Sequence, residues 1–381
     1  MKKICIITAS RAEYGYFKPL IKRLINNPEI DFQLIASGAH LDKRYGYTIT
    51  EIFNDGITPS KCIEIIDNDT PQGTLNTMAN AVSKIGEALI ELKPDIAVIL
   101  GDRYEMLSIA SACVILNIPI AHIAGGDVTY GAYDEMFRHA ITKMSSIHFT
   151  SCELSRKRVI QMGEQPENVF NTGALSLENI KNTELMKKED INKKLGIDIE
   201  NTLSAVFHPV TMEREHQEYQ FTEVLEALTV QNRYFVLFTR SNADTGAGAL
   251  NKILDKYAAK YPDKIKIADS LGSYLYLSVM KYARGLIGNS SSGIIEAPSF
   301  HTPVINIGNR QKGRMQAKCV FNCPAEKDAV LKLIENLPSR YDLKDVKNPY
   351  EGENPSLVIM EEIIKYLNKG AVIKKFYELK A

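Results

Sequence analysis

The chain has 381 residues, room for two domains at the usual size of roughly 100–200 residues each. Its 46 Lys and Arg balance 46 Asp and Glu, and no sustained basic stripe exists, which argues against binding a nucleic-acid backbone. With 45% hydrophobic and 24% charged residues the composition is that of a globular protein and excludes extensive disorder. The recurring unit is a short β-branched run, a Gly or polar turn, then a longer helical pattern. Residues 3–8, 32–36, 63–66, 96–100, 118–123 and 147–150 read as strands, and residues 16–26, 74–92, 104–116 and 152–162 as helices. Unbroken apolar runs such as Ile96–Leu100 suit a parallel sheet covered on both faces.

The rhythm pauses near Thr172 and Gly173, and residues 178–202 are rich in Lys, Asn, Glu and Asp. A second series follows, with strands at 203–207, 234–238, 264–267, 285–287 and 304–307 and helices at 216–228, 249–260, 273–282 and 325–336. This alternation predicts an α/β protein of two Rossmann-like domains whose parallel sheets face a central cleft. The first domain spans residues 1–173 and carries the candidate carboxylates; the second spans 174–364, and residues 365–381 form a C-terminal helix packing back on the first. The most apolar stretch, residues 109–126, is interrupted by Ser111, Asn117, Pro119 and His122 and is too polar to cross a bilayer. The start lacks the long apolar run of a signal peptide. Cys5, Cys62, Cys113, Cys152, Cys319 and Cys323 form no C-x-x-C pair and read as core thiols in a reducing compartment. A cytoplasmic protein without membrane or nucleic-acid partners is expected.

In parallel sheets, ligands bind beyond the carboxyl ends of the strands, which makes the residues after each strand the candidates for chemistry. After the first strand, Ser10-Arg11-Ala12-Glu13-Tyr14-Gly15 puts Arg11 at a helix start, suited to an anion or simply to the surface. After residues 96–100 comes Gly101-Asp102-Arg103-Tyr104-Glu105; a helix cap would occupy Asp102 but leave Arg103 idle. His122-Ile123-Ala124-Gly125-Gly126-Asp127 is followed by Asp134-Glu135 and Arg138-His139. Neighbouring carboxylates can separate their pKa values, one acting as base and another as acid, or can form a solvated acidic face.

In the second half His208 follows a strand, and Arg240 and Asn242 close the next with groups suited to a sugar, a base or a loop. The most specific segment is Gly288-Asn289-Ser290-Ser291-Ser292-Gly293-Ile294-Ile295-Glu296-Ala297-Pro298. A strand runs into a Ser/Gly turn and a helix, where Ser290, Ser291, Ser292 and free N–H groups suit a phosphate. Glu296, one turn inside that helix, suits ribose hydroxyls. Arg310, Lys312 and Arg314 add cations close by, and a diphosphate fits both segments. There is no Gly-Lys-Ser/Thr P-loop ending, H-E-x-x-H, G-x-S-x-G or G-x-G-x-x-G, so neither metal nor dinucleotide cofactor is expected.

Taken in order along essentially the whole chain, the segments from Ser10 to Gly15, Gly101 to Glu105, His122 to Asp127, His208-Pro209, Gly288 to Pro298 and Gly308 to Arg314 resemble the hydrolysing UDP-N-acetylglucosamine 2-epimerases of sialic-acid biosynthesis. The resemblance implies a GT-B-like fold and conversion of UDP-GlcNAc and water to UDP and N-acetylmannosamine, by elimination to a 2-acetamidoglucal and hydration. It also implies a homodimer or homotetramer. It gives Asp102, Asp127 and Asp134 acid–base roles, with Glu135 an alternative to Asp134. Arg11, His208, Ser290, Ser291 and Arg310 would hold UDP, with Glu296 on the ribose; His208 also counts among the catalytic candidates, and Arg103, Arg240, Asn242, Ser292 and Arg314 among the candidates for binding the UDP-sugar. Relatives often carry Glu where this chain has Ala124 and Asp127, which makes Asp127 the substitute base. A 2,4-diacetamido-trideoxy UDP-sugar as substrate, a GT-B glycosyltransferase and a non-catalytic UDP-sugar-binding regulator are the alternatives.

Overall fold

A computed structural model describes residues 1–130, 132–210, 216–240, 247–370 and 373–379. Its contacts divide the chain into a first unit, Met1–Asp127 with Asp134–Asn179 and Tyr350–Ala381, and a second, Val128–Tyr133 with Ile180–Pro349. The first unit holds β1 (Lys2–Thr8), β2 (Ile30–Ser37), β3 (Lys61–Ile63), β4 (Ile96–Leu100), β5 (Ile120–Ile123), β6 (Ile147–Thr150) and β7 (Val169–Asn171). They form one parallel sheet in the order β3-β2-β1-β4-β5-β6-β7. Alternate residues feed opposite faces. Ile4, Ile6, Ile96 and Val98 enter one apolar cluster, whereas Cys5, Ile7, Ala97 and Ile99 enter the other.

The second unit holds β8 (Thr202–Val206), β9 (Phe235–Thr239), β10 (Ile265–Ala268), β11 (Gly285–Gly288), β12 (Val304–Ile307) and β13 (Val320–Cys323). They too are parallel, in the order β10-β9-β8-β11-β12-β13. In each sheet the strand order reverses at one point, between β1 and β4 and between β8 and β11. Loops leaving neighbouring strands there diverge to opposite faces and open a crevice at the carboxyl edge.

The structure departs from the sequence reading at several places. β7 and β13 are additional edge strands, and β3 lies at Lys61–Ile63 rather than 63–66. Helix Asp134–Met144 is also new. Residues 71–92 form one helical run that widens to π geometry over Ala81–Ile85. The chain returns to the first unit at Tyr350, well before residue 365, and the returning helix is Pro355–Asn368. The cause is its apolar stripe: Ile359, Ile363 and Tyr366 sit in the β1/β2 cluster. Ser356 fixes its start, donating from N and Oγ to Glu178 at 2.7 and 2.6 Å and accepting from Arg23 at 2.6 Å. Among the described residues no helix is long and apolar enough to cross a membrane.

Candidate functional site

The first unit brings its chemistry to the ends of β1, β4 and β5. Asp102 is not the helix cap: Arg103 occupies the cap position of helix Tyr104–Ile115. Asp102 instead pairs with Arg138, whose side chain is 1% exposed. The same guanidinium donates to Glu135 at 2.9 Å and to the Asp127 carbonyl at 2.9 Å. Burial works against the Arg138 charge, but Asp102, Asp127 and Glu135 outweigh it and raise its pKa. Arg138 therefore ties three segments into one acid-rich cluster. Glu135 also meets His139 Nε2 at 3.0 Å, one turn along the helix that Asp134 begins.

Asp127 is 4% exposed, and its Oδ1 accepts from Ser151 at 2.9 Å and Ser155 at 2.5 Å. His122, on β5, donates from Nε2 to the Gly101 carbonyl at 2.8 Å and accepts from Thr142 at Nδ1 at 3.2 Å. Burial pulls its pKa down to about 3, so it is a neutral strut holding the turn that carries Asp102. Arg103 donates to Glu105 at 2.6 Å, and Ser10 caps the helix that Arg11 begins. Arg11 and Asp134 thus open their helices, while the structure joins Asp102 and the Asp127 backbone through Arg138.

The second unit is organised by Asn289, which is fully buried. Its side chain accepts from His208 N at 2.7 Å and donates to the His208 carbonyl at 2.8 Å, joining the ends of β8 and β11. Its own carbonyl receives Arg310 at 3.1 Å and Gln311 at 2.9 Å. Gly288 sits at φ +137°, where a Cβ would collide with the Val206 carbonyl, so only Gly lets β11 turn so close to β8. Ser290 then caps the short helix Ser291–Ile295, accepting from Ser292 N at 3.4 Å. Glu296 is its C-cap, not a residue within it, because Pro298 starts a new 3₁₀ turn at Ala297–Phe300.

Tyr276 lies near Ser290, Ser292 and Glu296; burial, aided by the Glu296 charge and opposed by the two serines, pushes its pKa up to about 12. Arg314 lines an open cavity of about 750 Å³ with Lys312, Asn306 and His216, apart from the Asn289 contacts of Arg310. Arg240 pairs with Asp255 at 2.5 Å and Asp269 at 2.7 Å. Asn242 lies outside the described residues. Among the described residues no three His, Cys, Asp or Glu side chains come together as a metal site.

Arg138, Glu105, Glu13, Asn289 and Tyr276 are the organising side chains to which the sequence reading gave no role. The i, i+3 and i, i+4 pairing of Glu135 with Arg138 and His139 was the available signal for the first of them.

Two parallel-sheet α/β units with chemistry at each strand-order reversal define the GT-B-like class. The chain belongs to the UDP-N-acetylglucosamine 2-epimerase family, whose profile matches residues 22–364. It is 41% identical over 322 residues, 84% of each chain, to the GDP/UDP-N,N'-diacetylbacillosamine 2-epimerase (hydrolyzing) of Campylobacter jejuni. It is 39% identical to polysialic acid biosynthesis protein P7 of Escherichia coli, covering 100% of this chain and 98% of that one. The fold matches UDP-GlcNAc 2-epimerase from Neisseria meningitidis bound to UDP-GlcNAc, at TM-score 0.78 and 18% identity, over 96% of this chain and 100% of that chain.

Proposed function

We propose that the protein is a hydrolysing 2-epimerase that converts UDP-GlcNAc and water to UDP and N-acetylmannosamine, for sialic-acid synthesis. The observation that carries this reading is Asp102, released from helix capping and held with Glu135 on the buried Arg138 cation. Proton removal at C2, next to the carbon that loses UDP, needs a positioned carboxylate, and protonation in the second step needs an acid. Asp102, Asp127 and Asp134 or Glu135 supply these groups in this reading. UDP departure needs its developing charge stabilised. Ser290, Ser291, Ser292, Arg310 and His208 surround Asn289 and the helix start, and hold the diphosphate; Glu296 holds the ribose. Arg11, Arg103 and Arg314 are the further cations that this reading assigns to the UDP-sugar. The full-length likeness to a polysialic-acid biosynthesis protein favours UDP-GlcNAc.

A second reading has specific support. The 41% likeness to a diacetylbacillosamine 2-epimerase favours the same chemistry on a UDP-2,4-diacetamido-trideoxyhexose. Proton NMR in D2O with each UDP-sugar tests both. Free UDP together with ManNAc deuterated at C2 supports the first reading, and turnover of the diacetamido sugar alone supports the second. Release of unepimerised GlcNAc overturns both in favour of a transferase-like site.

We place the protein in the cytoplasm as a homo-oligomer. Leu75, Val82 and Ile90 recur along the helical run 71–92 and, with Val114 and Ile115, are 44–79% exposed. Apolar side chains so exposed along one helical run suit a contact between copies. Sedimentation should give a dimer or tetramer, and Ile90→Glu with Ile115→Glu should give a monomer.

A further inference from the structure

Helix Asp134–Met144 carries much of the acid cluster, with Asp134 and Glu135 in its first turn and Arg138 buried on its face. Its other end is closed from outside the helix. The Ile141 carbonyl accepts from Ser145 Oγ at 2.7 Å and the Thr142 carbonyl from Ser145 N at 3.1 Å. The Lys143 carbonyl, and that of Ser145 just beyond, accept from Lys374 Nζ at 2.7 and 2.5 Å. Lys374 belongs to residues 373–379, which lie past the returning helix Pro355–Asn368. That segment is held down elsewhere too. Tyr377 N donates to the Gly163 carbonyl at 2.9 Å, and Gln165 Nε2 donates to the Lys375 carbonyl at 3.4 Å. The Phe376 ring covers Gly163, where a Cβ would come within 2.3 Å of it. Lys143 Nζ sits 4.9 Å from the centre of the same ring.

We propose that residues 373–379 are a strap that fixes the carboxyl end of this helix, with Lys374 a positioning residue for the acid cluster to which the proposed function gives the chemistry. The last carbonyls of a helix have no partner within it, and an ammonium there both satisfies them and faces the negative end of the dipole. Two routes lead from that end to the acids. Arg138 stands on the same helix, one turn before Thr142, and grips Asp102 and Glu135. Thr142 donates to His122 Nδ1 at 3.2 Å, and His122 donates to the Gly101 carbonyl at 2.8 Å, next to Asp102. Freeing the last turn therefore loosens Asp102 from both sides. Glu164 also binds Lys374, at 2.7 Å, but it lies off the helix and is held by His148 and Lys143 as well, so it contributes stability rather than placement.

Lys374→Met keeps the apolar stem and removes the donor. Hydrogen exchange followed by mass spectrometry tests the strap without any substrate. The amides of residues 141–145 should exchange about tenfold faster than in wild type, the worth of a lost charged hydrogen bond, and Lys374→Arg should restore them. Unchanged exchange there overturns the strap. The consequence for turnover rests on the proposed function. With UDP-GlcNAc, kcat should fall about tenfold, since small misplacements of a catalytic group are costly, while KM stays within about twofold; Lys374→Arg should recover most of the loss. Glu164→Gln leaves both carbonyl contacts of Lys374 in place and should keep kcat while lowering Tm. A kcat loss in Glu164→Gln as large as in Lys374→Met would mean that turnover merely follows stability, and overturns the positioning role. Faster exchange with normal kcat overturns it too. If Lys374→Met does not fold, Phe376→Ala, which bares Gly163 and loosens the strap from its other side, carries the same readouts. Faster exchange in the variant, when wild type turns over neither UDP-sugar, sinks the proposed function and leaves the strap's hold on the helix standing.

Discussion

The two units solve opposite electrostatic problems at the same place in their topology. The first gathers ionisable groups where β1 and β4 diverge: Asp102, Glu135, Arg138, Glu13, Glu105 and Arg103, several of them buried. The second builds the junction of β8 and β11 from a neutral amide, Asn289, and backbone groups. Buried charges that face one another have strongly interdependent pKa values, which suits moving a proton. Amide and helix-start dipoles hold an anion without titrating, which suits gripping a diphosphate at any working pH. On the proposed function, changes in the first unit should therefore act on rate and changes in the second on affinity.

The largest effect should come from breaking the first cluster. Asp102→Asn keeps the shape but cannot take a proton, and kcat should fall by roughly 10²–10⁴-fold, the usual worth of a general base, with UDP binding retained. Normal turnover would remove Asp102 from the chemistry. Next comes Asn289→Ala, which strands the His208 N–H and carbonyl in a buried site at about 1–3 kcal/mol for each unmet group. It should lower Tm and raise KM for the UDP-sugar roughly tenfold while leaving kcat nearly unchanged, the signature of lost uniform binding. If kcat falls as much as KM rises, the division of labour between the units is wrong.

A smaller and purely structural effect belongs to the first unit. Glu164 is 3% exposed and meets His148 at 2.9 Å, Lys143 at 2.6 Å and Lys374 at 2.7 Å. Burial opposes its charge, but these three partners win and hold its pKa down to about 2, below its ordinary 4.5. A carboxylate depressed in the folded state adds stability that is fully present above the unfolded value and is lost as pH falls through the folded one. Wild-type Tm should therefore drop between pH 4.5 and about 2, and Glu164→Gln should flatten that part of the curve. An unchanged slope would mean that other carboxylates govern acid unfolding.

The regular alternation of buried strands and amphipathic helices made the two sheets readable, because a strand covered on both faces must be apolar at every position, as Ile96–Leu100 is. The edges were not readable. β7 and β13 are three and four residues long, each includes an Asn, and neither shows an unbroken apolar run. The site was legible as a set of turns but not as a network. Asp102 and Asn289 both stood in flagged segments, yet only tertiary packing shows that Arg138 gathers the first and that the second joins β8 to β11. Glu13 looks like an ordinary helix-start acid in sequence, and its raised pKa comes first from burial in the folded unit and only second from Glu105, on the turn after the neighbouring strand.

Arg240 gives the smallest expected effect and the cleanest check on how far the second unit's anion site extends. It follows β9, not the junction of β8 and β11, and its guanidinium is taken up by Asp255 and Asp269, whose side chains are 52% and 90% exposed. Ion pairs so open to water are worth about 0–1 kcal/mol, so Arg240→Ala should change stability by no more than that. A phosphate would have to displace two carboxylates to reach the cation, and a half-buried guanidinium already neutralised by two acids contributes little field. UDP affinity measured by calorimetry should therefore change by less than about twofold, under half a kcal/mol. A tenfold loss would mean that UDP does outcompete Asp255 and Asp269, and that the phosphate grip reaches beyond Asn289 to the end of β9.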